Sequence, residues 1–378
     1  MKRRSLWVAG VVVVAVMALV ATGCGSDDSK TTSTAGGSTD SASAPAWLTA
    51  AKEATAKNTQ MPTEILSTSL GEFKPKPSGT IYHVACNLAL EGCSKIAKAI
   101  KSGTEALGYK FEQCDGGTTA DKISGCFTNA INAKPDAIVV NGIGADAAAD
   151  SFAKVAAAKI PLIGSFTGDK IPTENVTTEI GGDSCAQGAQ HLAQWITANS
   201  EGKANVLFVG TKTYACNIQR EEAFTAEMKK CTTCKVTSLP FAIDAVQSQL
   251  PQQLQSGLQS NPDVNYVVGT FDAVALAATD AIRQAGKADQ IKVAGFDGDA
   301  PNLALIAKGD IQVADVTTGT QEPGWSAADA SARAMIGQKL PDSIPITDVT
   351  IDKTNAAQIG VYKGPTDYEQ QFKTLWGK

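Results

Sequence analysis

The stretch NGIGADA sets Gly142, Gly144 and Ala147 in a G-x-G-x-x-A spacing, behind an apolar run and ahead of a helical pattern. Dinucleotide binding needs that context, because a glycine turn lets backbone N–H groups approach a pyrophosphate at a helix N-terminus. The remaining requirements are missing. The motif belongs to the third strand–helix unit rather than the first, and the next strand-like run, PLIGSF, ends without an acidic residue for a ribose hydroxyl. The glycines are therefore read as those of a tight turn, and no cofactor is expected. Asp297, in VAGFDGD, ends a strand-like run where a catalytic acid can sit. Glycoside hydrolysis needs a second carboxylate facing the first, and spacing alone pairs none with it. No G-x-S-x-G elbow is present, and His83, in an apolar strand, and His191, in a helical pattern, offer little general-base capacity. No catalytic residues are assigned; an extracellular enzyme using Asp297 as its acid is the alternative.

Cys231 and Cys234 form a C-x-x-C in KKCTTCKV. A zinc site would need ligands that the two histidines are poorly placed to supply, so no metal is expected. A redox motif should open a helix, whereas this one follows a helical stretch and precedes a strand; it reads as a loop staple. Seven further cysteines lie outside the motif, and one of them, Cys24, stands apart near the N-terminus. The others are Cys86, Cys93, Cys114, Cys126, Cys185 and Cys216. With Cys24 set aside the count is even, as in exported proteins whose disulfides persist. Sequential pairing, Cys86–Cys93, Cys114–Cys126, Cys185–Cys216 and Cys231–Cys234, is expected because each pair then falls within one strand-to-helix unit or one loop neighbourhood. Buried free thiols packed as small hydrophobes are the other reading.

Upstream, Lys2, Arg3 and Arg4 precede an unbroken apolar run from Leu6 to Val20. Spanning helices need roughly 20 apolar residues and signal cores about 7–15, so residues 1–23 read as an export signal. The small residues Ala21, Thr22 and Gly23 ahead of Cys24 resemble a bacterial lipobox, with Ala21 where Leu is usual. Cys24 is accordingly expected to carry lipid and to anchor the protein outside the cytoplasm, in a periplasm or on the outer face of the cytoplasmic membrane. Residues 24–44 are rich in Ser, Thr and Gly and bury too little apolar surface to fold, which makes them a flexible tether. Residues 45–78 form an N-terminal extension in which APAWLTAAKEATAKN has the pattern of a short helix and FKPKPSG that of a stiff spacer. The formal charge of −5 offers no basic footprint for nucleic acid.

The chain has 378 residues, 43% of them hydrophobic, enough for one large or two medium domains. From Gly79 onward ten short apolar runs alternate with helical patterns: TIYHVAC, YKFEQC, AIVVN, PLIGSF, VTTEIG, NVLFVG, KVTSLPF, NYVVGT, IKVAGF and IQVADV. Between them Cys93, Ile96, Ala97 and Ile100 share one helical face, as do Leu192, Trp195 and Ile196. The alternation predicts an α/β fold with parallel sheets covered on both faces. Ten strands exceed one comfortable sheet, and the rhythm slips at Gly181–Gly182, so two lobes are expected with a first crossing there. Open parallel sheets bind ligands outside the carboxyl ends of their strands, which places a ligand between the lobes.

In order and spacing, GYKFEQCDGGTTADK, KPDAIVVNGIGADA, IPLIGSF, EIGGDSCAQGAQ, REEAF, NPDVNYVVGTFDAVALAATDAIRQAGK and IKVAGFDGDAPNLALIAKGDIQVADVTT resemble the type I periplasmic binding proteins, specifically the ribose-binding-like lipoproteins of ABC importers. The likeness runs from about Gly79 to Gly364. It implies two Rossmann-like lobes joined by a three-segment hinge: residues 79–181 with 319–346, and residues 182–318 with 347–363, followed by a docked tail, 364–378. It also implies a small-molecule ligand, a membrane ABC permease as partner and a monomer. A lipoprotein of the same fold coupled to a sensor kinase is the alternative. The resemblance assigns Asn141 and Asp297 to the ligand, through an amide that both donates and accepts and a carboxylate that makes charge-assisted bonds. Elsewhere the sugar signature departs. Phe166 and Thr167 stand for an Asp-Arg pair, Phe271 and Asp272 for Asn-Asp, and NLALEGC, opening on Asn87, for an aromatic pair. Ile218 stands near an expected arginine, while Arg220 remains, with a solvated pair to Glu221 or Glu222 as its other reading. Tyr214 and Asn217 on the following loop complete the candidate set, which points to a flatter, less hydroxylated ligand. In the family's strand order Cys86 and Cys114 end neighbouring strands, so Cys86–Cys114 is an alternative pairing.

Overall fold

The computed structural model describes residues 44–168, 176–243 and 248–378; the signal, Cys24 and almost the whole tether lie outside them. The described chain opens with α1 (Ala46–Asn58) and a 3-10 turn at Leu66–Leu70. It then alternates through β1 (Thr80–Ala85), α2 (Glu91–Leu107), β2 (Lys110–Asp115), α3 (Ala120–Ala133), β3 (Ala137–Asn141), α4 (Ala145–Ala157), β4 (Leu162–Ser165) and β5 (Thr178–Ile180). A second series follows: α5 (Ser184–Asn199), β6 (Asn205–Gly210), α6 (Ala215–Met228), β7 (Lys235–Pro240), α7 (Leu250–Ser260), β8 (Tyr266–Gly269), α8 (Asp272–Gln284), β9 (Lys292–Phe296), α9 (Ala300–Lys308) and β10 (Gln312–Thr317). The last elements are α10 (Glu322–Met335), β11 (Ser343–Ile344), β12 (Val349–Asp352), α11 (Ala356–Ile359) and α12 (Tyr368–Leu375). All ten apolar runs are strands; β11, two residues long, and β12 are added by the structure.

The strands form two sheets, ordered β11-β5-β4-β3-β1-β2 and β12-β10-β9-β8-β6-β7, parallel throughout except where β12 runs against β10. Central strands such as β3 (AIVVN) are buried at every position because helices cover both faces. The chain crosses from the first sheet to the second after β5, returns between β10 and α10, and crosses again between β11 and β12. These are the three hinge segments of a two-lobed α/β protein.

Two further segments connect the lobes. Helix α1 packs on α5 and β12 of the second lobe, with Trp47 lying over Gly202 and Lys52 paired to Glu201 at 2.7 Å. The Thr59 carbonyl still accepts from Asn355 of that lobe at 2.9 Å, but by Thr63 the chain is bonded to Gln371 on the first. The tail makes the same passage, from α11 beside α9 to α12 against α10. On the way the carbonyls of Tyr362 and Lys363 accept the N–H groups of Thr320, Gln321 and Glu322.

Helix α10 is the pivot of the first lobe and is almost wholly buried. It lies against α2 so closely that a side chain at Gly324 would stand 2.4 Å from Ala99, which only glycine permits. Trp325 stacks on Trp376 of the tail with ring centroids 5.6 Å apart. One turn on, the buried pair Arg333–Asp329 gathers both ends of the chain. Arg333 Nε donates to Asp329 at 2.8 Å, its terminal nitrogens donate to the carbonyls of Leu70 and Gly71, and Trp376 Nε1 donates to Asp329. The four cysteine pairs joined in the structure are Cys86–Cys93, Cys114–Cys126, Cys185–Cys216 and Cys231–Cys234.

Candidate functional site

A cavity of about 290 Å³ lies between the lobes at the carboxyl ends of both sheets. From the first lobe it is walled by the tip of β3, the residue after β4, and the Cys86–Cys93 loop leading into α2. From the second it is walled by the start of α6, the residues after β8, and the GFDGD turn after β9. The β10–α10 crossing, Thr318 to Thr320, forms part of its wall.

Two non-glycine residues facing the cavity, Phe166 at φ 54° and Asp297 at φ 103°, hold left-handed backbone conformations. Such geometry costs about 1–3 kcal/mol per residue and persists only where the surroundings enforce it. Both enforcers are buried carboxyl groups. Glu179 on β5 accepts from the Thr167 N–H at 2.8 Å and from its hydroxyl at 2.6 Å, fixing the turn just after Phe166. Gly164 leaves the room, since a side chain there would stand 1.8 Å from the Glu179 carboxyl. In the second lobe Asp315 accepts from the Gly298 N–H at 3.0 Å and Asp272 from the Asp299 N–H, clamping the turn that carries Asp297. Burial pushes Glu179 up to about 8 and Asp315 up to about 7, with Asp272 raised as well by burial and then by Asp315.

Asp297 is paired across the wall with Arg220 at 2.7 Å. Arg220 also donates to the Thr270 carbonyl at 2.7 Å and lies over the Phe296 ring at 4.7 Å. This replaces the solvated pairing; Glu221 instead meets Lys212 at 2.8 Å. In the first lobe, Asn141 is held by His83, whose Nε2 lies 2.7 Å from Oδ1, while Nδ2 donates to Cys86 Sγ at 3.1 Å. Burial keeps His83 down to about 4, against its bonds to Asn141 and Gln113, so it is a neutral support at physiological pH.

Of the residues singled out from sequence, Asn141, Phe166, Tyr214, Asn217, Arg220, Phe271 and Asp297 line this one cavity. Asn87 and Asp272 are not among its lining residues. The Asn87 side chain accepts from the Ala89 N–H at 3.1 Å, a local turn contact that turns it to its own loop. Asp272 is 1% exposed and acts beneath the site through the Asp299 amide. Lys95 and Asp299 were missed. Lys95 Nζ, on α2, bonds to Asp299 of the opposite lobe and lies 3.0 Å from Glu91. Only the meeting of the lobes makes this an ion pair, and no local pattern announces it. The glycine turn of NGIGADA packs against its neighbours: a side chain at Gly142 would meet Cys86 Sγ and one at Gly144 the Thr167 carbonyl. A second cavity of about 590 Å³ adjoins the first on the side of this turn, sharing Cys86, Gly142 and Tyr214 as lining.

The buried carboxyls predict the pH response. Glu179, Asp315 and Glu322, the last raised by burial to about 7, hold protons in the native state that the unfolded chain releases near its ordinary carboxylate values. Their stabilisation is complete below about pH 4 and is lost as pH rises through about 7–8. His83 acts in the opposite sense, its contribution fading as pH falls from about 6.5 to 4. The melting temperature is therefore expected to fall between about pH 5 and 8, and Glu179→Gln to reduce the fall; a flat or rising profile over that interval would contradict the assignment.

Two lobes that bury a cavity at their strand ends and share three hinge crossings define a type I periplasmic binding protein. The chain belongs to the periplasmic binding protein domain family, which matches residues 87–339. It is 24% identical over 270 residues to the D-apiose import binding protein of Actinobacillus succinogenes, covering 70% of this chain and 86% of that one. To the ribose import binding protein of Salmonella typhimurium it is 25% identical over 211 residues, covering 55% and 69%. A solved ABC transporter solute-binding protein of Mycobacterium smegmatis with bound glycerol superposes with a TM-score of 0.69 at 20% identity, over 76% of this chain and 99% of that one. These relatives are solute-binding proteins, not enzymes.

Proposed function

We propose that the protein is the extracytoplasmic receptor of an ABC importer for a small hydroxylated molecule of the sugar class. The lobes, residues 79–181 with 319–346 and 182–318 with 347–363, would close on the ligand by bending at the crossing segments. The closed form would then be presented to the permease by a monomer held through lipid on Cys24 and the tether of residues 24–44. The observation that carries this reading is the Arg220–Asp297 pair facing a cavity shared by both lobes. Such a pair can give a hydroxyl both a donor and an acceptor. The import role of the relatives supports the same direction.

Thermal-shift measurements across neutral pentoses, hexoses and polyols, followed by titration calorimetry, test the reading. Ligand binding is expected to raise the melting temperature, by about 2.7 kcal/mol of added stability at a hundredfold excess over Kd. A folded protein that responds to none of them would remove the receptor assignment.

A further inference from the structure

The two walls of the cavity differ in what they leave free for a ligand. In the second lobe the Tyr214 hydroxyl, the Asn217 side-chain amide and Asp297 Oδ2 have no hydrogen-bond partner among the described residues, and Arg220 stands beside them. In the first lobe most polar groups already have a protein partner, and Asn141 keeps only one further acceptor and one further donor position. Both amide atoms of Asn141 are engaged, by His83 and Cys86, and Lys95 is shared between Asp299 and Glu91. What remains on that wall is mostly apolar, Leu90, Ile96, Phe166 and the Cys86–Cys93 disulfide, with the Thr320 hydroxyl at the crossing and the Glu91 carboxylate as its polar exceptions. Both cations among the described lining residues, Lys95 and Arg220, already face carboxylates.

We infer that the ligand is neutral and two-sided, with its hydroxyls gathered along the edge that meets the second lobe and a deoxygenated, alkylated or aromatic face under the first. The inference rests on the receptor reading and specifies its substrate class. A hydroxyl placed over Leu90, Ile96, Phe166 or the disulfide would lose its water without a partner in return, and an unpaired buried polar group is the costly case. A methyl or hydrogen in its place meets carbon and sulfur. An anionic substituent would find no cation that is not already paired.

Calorimetry with matched sets tests this: neutral pentoses and hexoses, each beside its terminal deoxy and O-methyl derivatives and its phosphate or uronate. For the skeleton that binds best, the deoxy or O-methyl compound is expected to bind about tenfold or more tighter than the parent, the scale of one methyl group in an apolar pocket. The anionic derivative is expected not to bind. Ile96→Thr should lower the derivative-to-parent affinity ratio about tenfold. A fully hydroxylated parent that outbinds its deoxy derivative, or an anionic derivative that binds best, overturns the inference and leaves the receptor reading standing. Silence from the whole panel, with the protein folded, removes the receptor reading and this inference together.

Discussion

Replacing Arg220 by alanine is expected to weaken ligand capture by about 1.5–3 kcal/mol, roughly 10- to 150-fold in Kd, the scale of hydrogen bonds to a charged group. The side chain is 12% exposed, and three contacts fix it: Asp297, the Thr270 carbonyl and the Phe296 ring. Its loss removes donors from the cavity and frees the Asp297 carboxylate from the geometry that its left-handed backbone presents. Arg220→Lys keeps the charge but not the planar fork that reaches a carbonyl and a carboxylate together, so it should recover only a small part. Calorimetry on the ligand found by thermal shift reads the effect. Binding within threefold of the parent protein would show that the cavity contacts ligand elsewhere.

The largest effect on stability is expected at Arg333, far from the ligand. Arg333→Met should cost about 3–5 kcal/mol, because it leaves Asp329 as an uncompensated buried carboxylate. The Gly71 carbonyl loses its donor as well, and the Leu70 carbonyl keeps only Gln338 at 3.4 Å, which loosens the segment that leads to β1. Adding Asp329→Asn should return much of the loss, since removing both charges is far cheaper than removing one. Denaturant unfolding of the two variants measures this, and equal stability of Arg333→Met and parent would show that the pair is not what fastens the chain ends. Limited proteolysis of the Arg333→Met protein should cut between residues 59 and 76, where the N-terminal strap passes from the second lobe to the first.

Much of the architecture was legible because it is written in local periodicities. Ten strands showed as apolar runs of the right length, and the first lobe crossing showed as a break in rhythm at Gly181. Cys86–Cys93 and Cys114–Cys126 each lie within one strand-to-helix unit and Cys231–Cys234 within one loop, whereas Cys185–Cys216 joins the starts of α5 and α6, which the packing of those two helices brings together. Strand-tip positions were legible for the same reason, and seven of the nine residues proposed for the ligand face a single cavity. The two exceptions are instructive. Asn87 belongs to a turn whose backbone takes its side chain, and Asp272 points into the second lobe rather than out of it, where it holds the turn carrying Asp297. A position next to a strand tip says that a side chain is near the cleft, not which way it points.

The amino-acid sequence by itself determined the class of fold, ten of the strands and the strand ends from which a ligand is approached, because each depends on a local periodicity. Strand order was not determined in this way, since β11 pairs with β5 from far along the chain. Tertiary structure alone decided which polar groups remain free. Asn141 is held by His83 and Cys86, Arg220 meets Asp297 rather than Glu221, and Lys95 reaches Asp299 across the lobes. Hydrogen-bonding capacity is fixed for each residue type, but its allocation depends on which elements are brought within about 3 Å of one another, and that is settled only when the sheets, the crossings and both chain ends have packed.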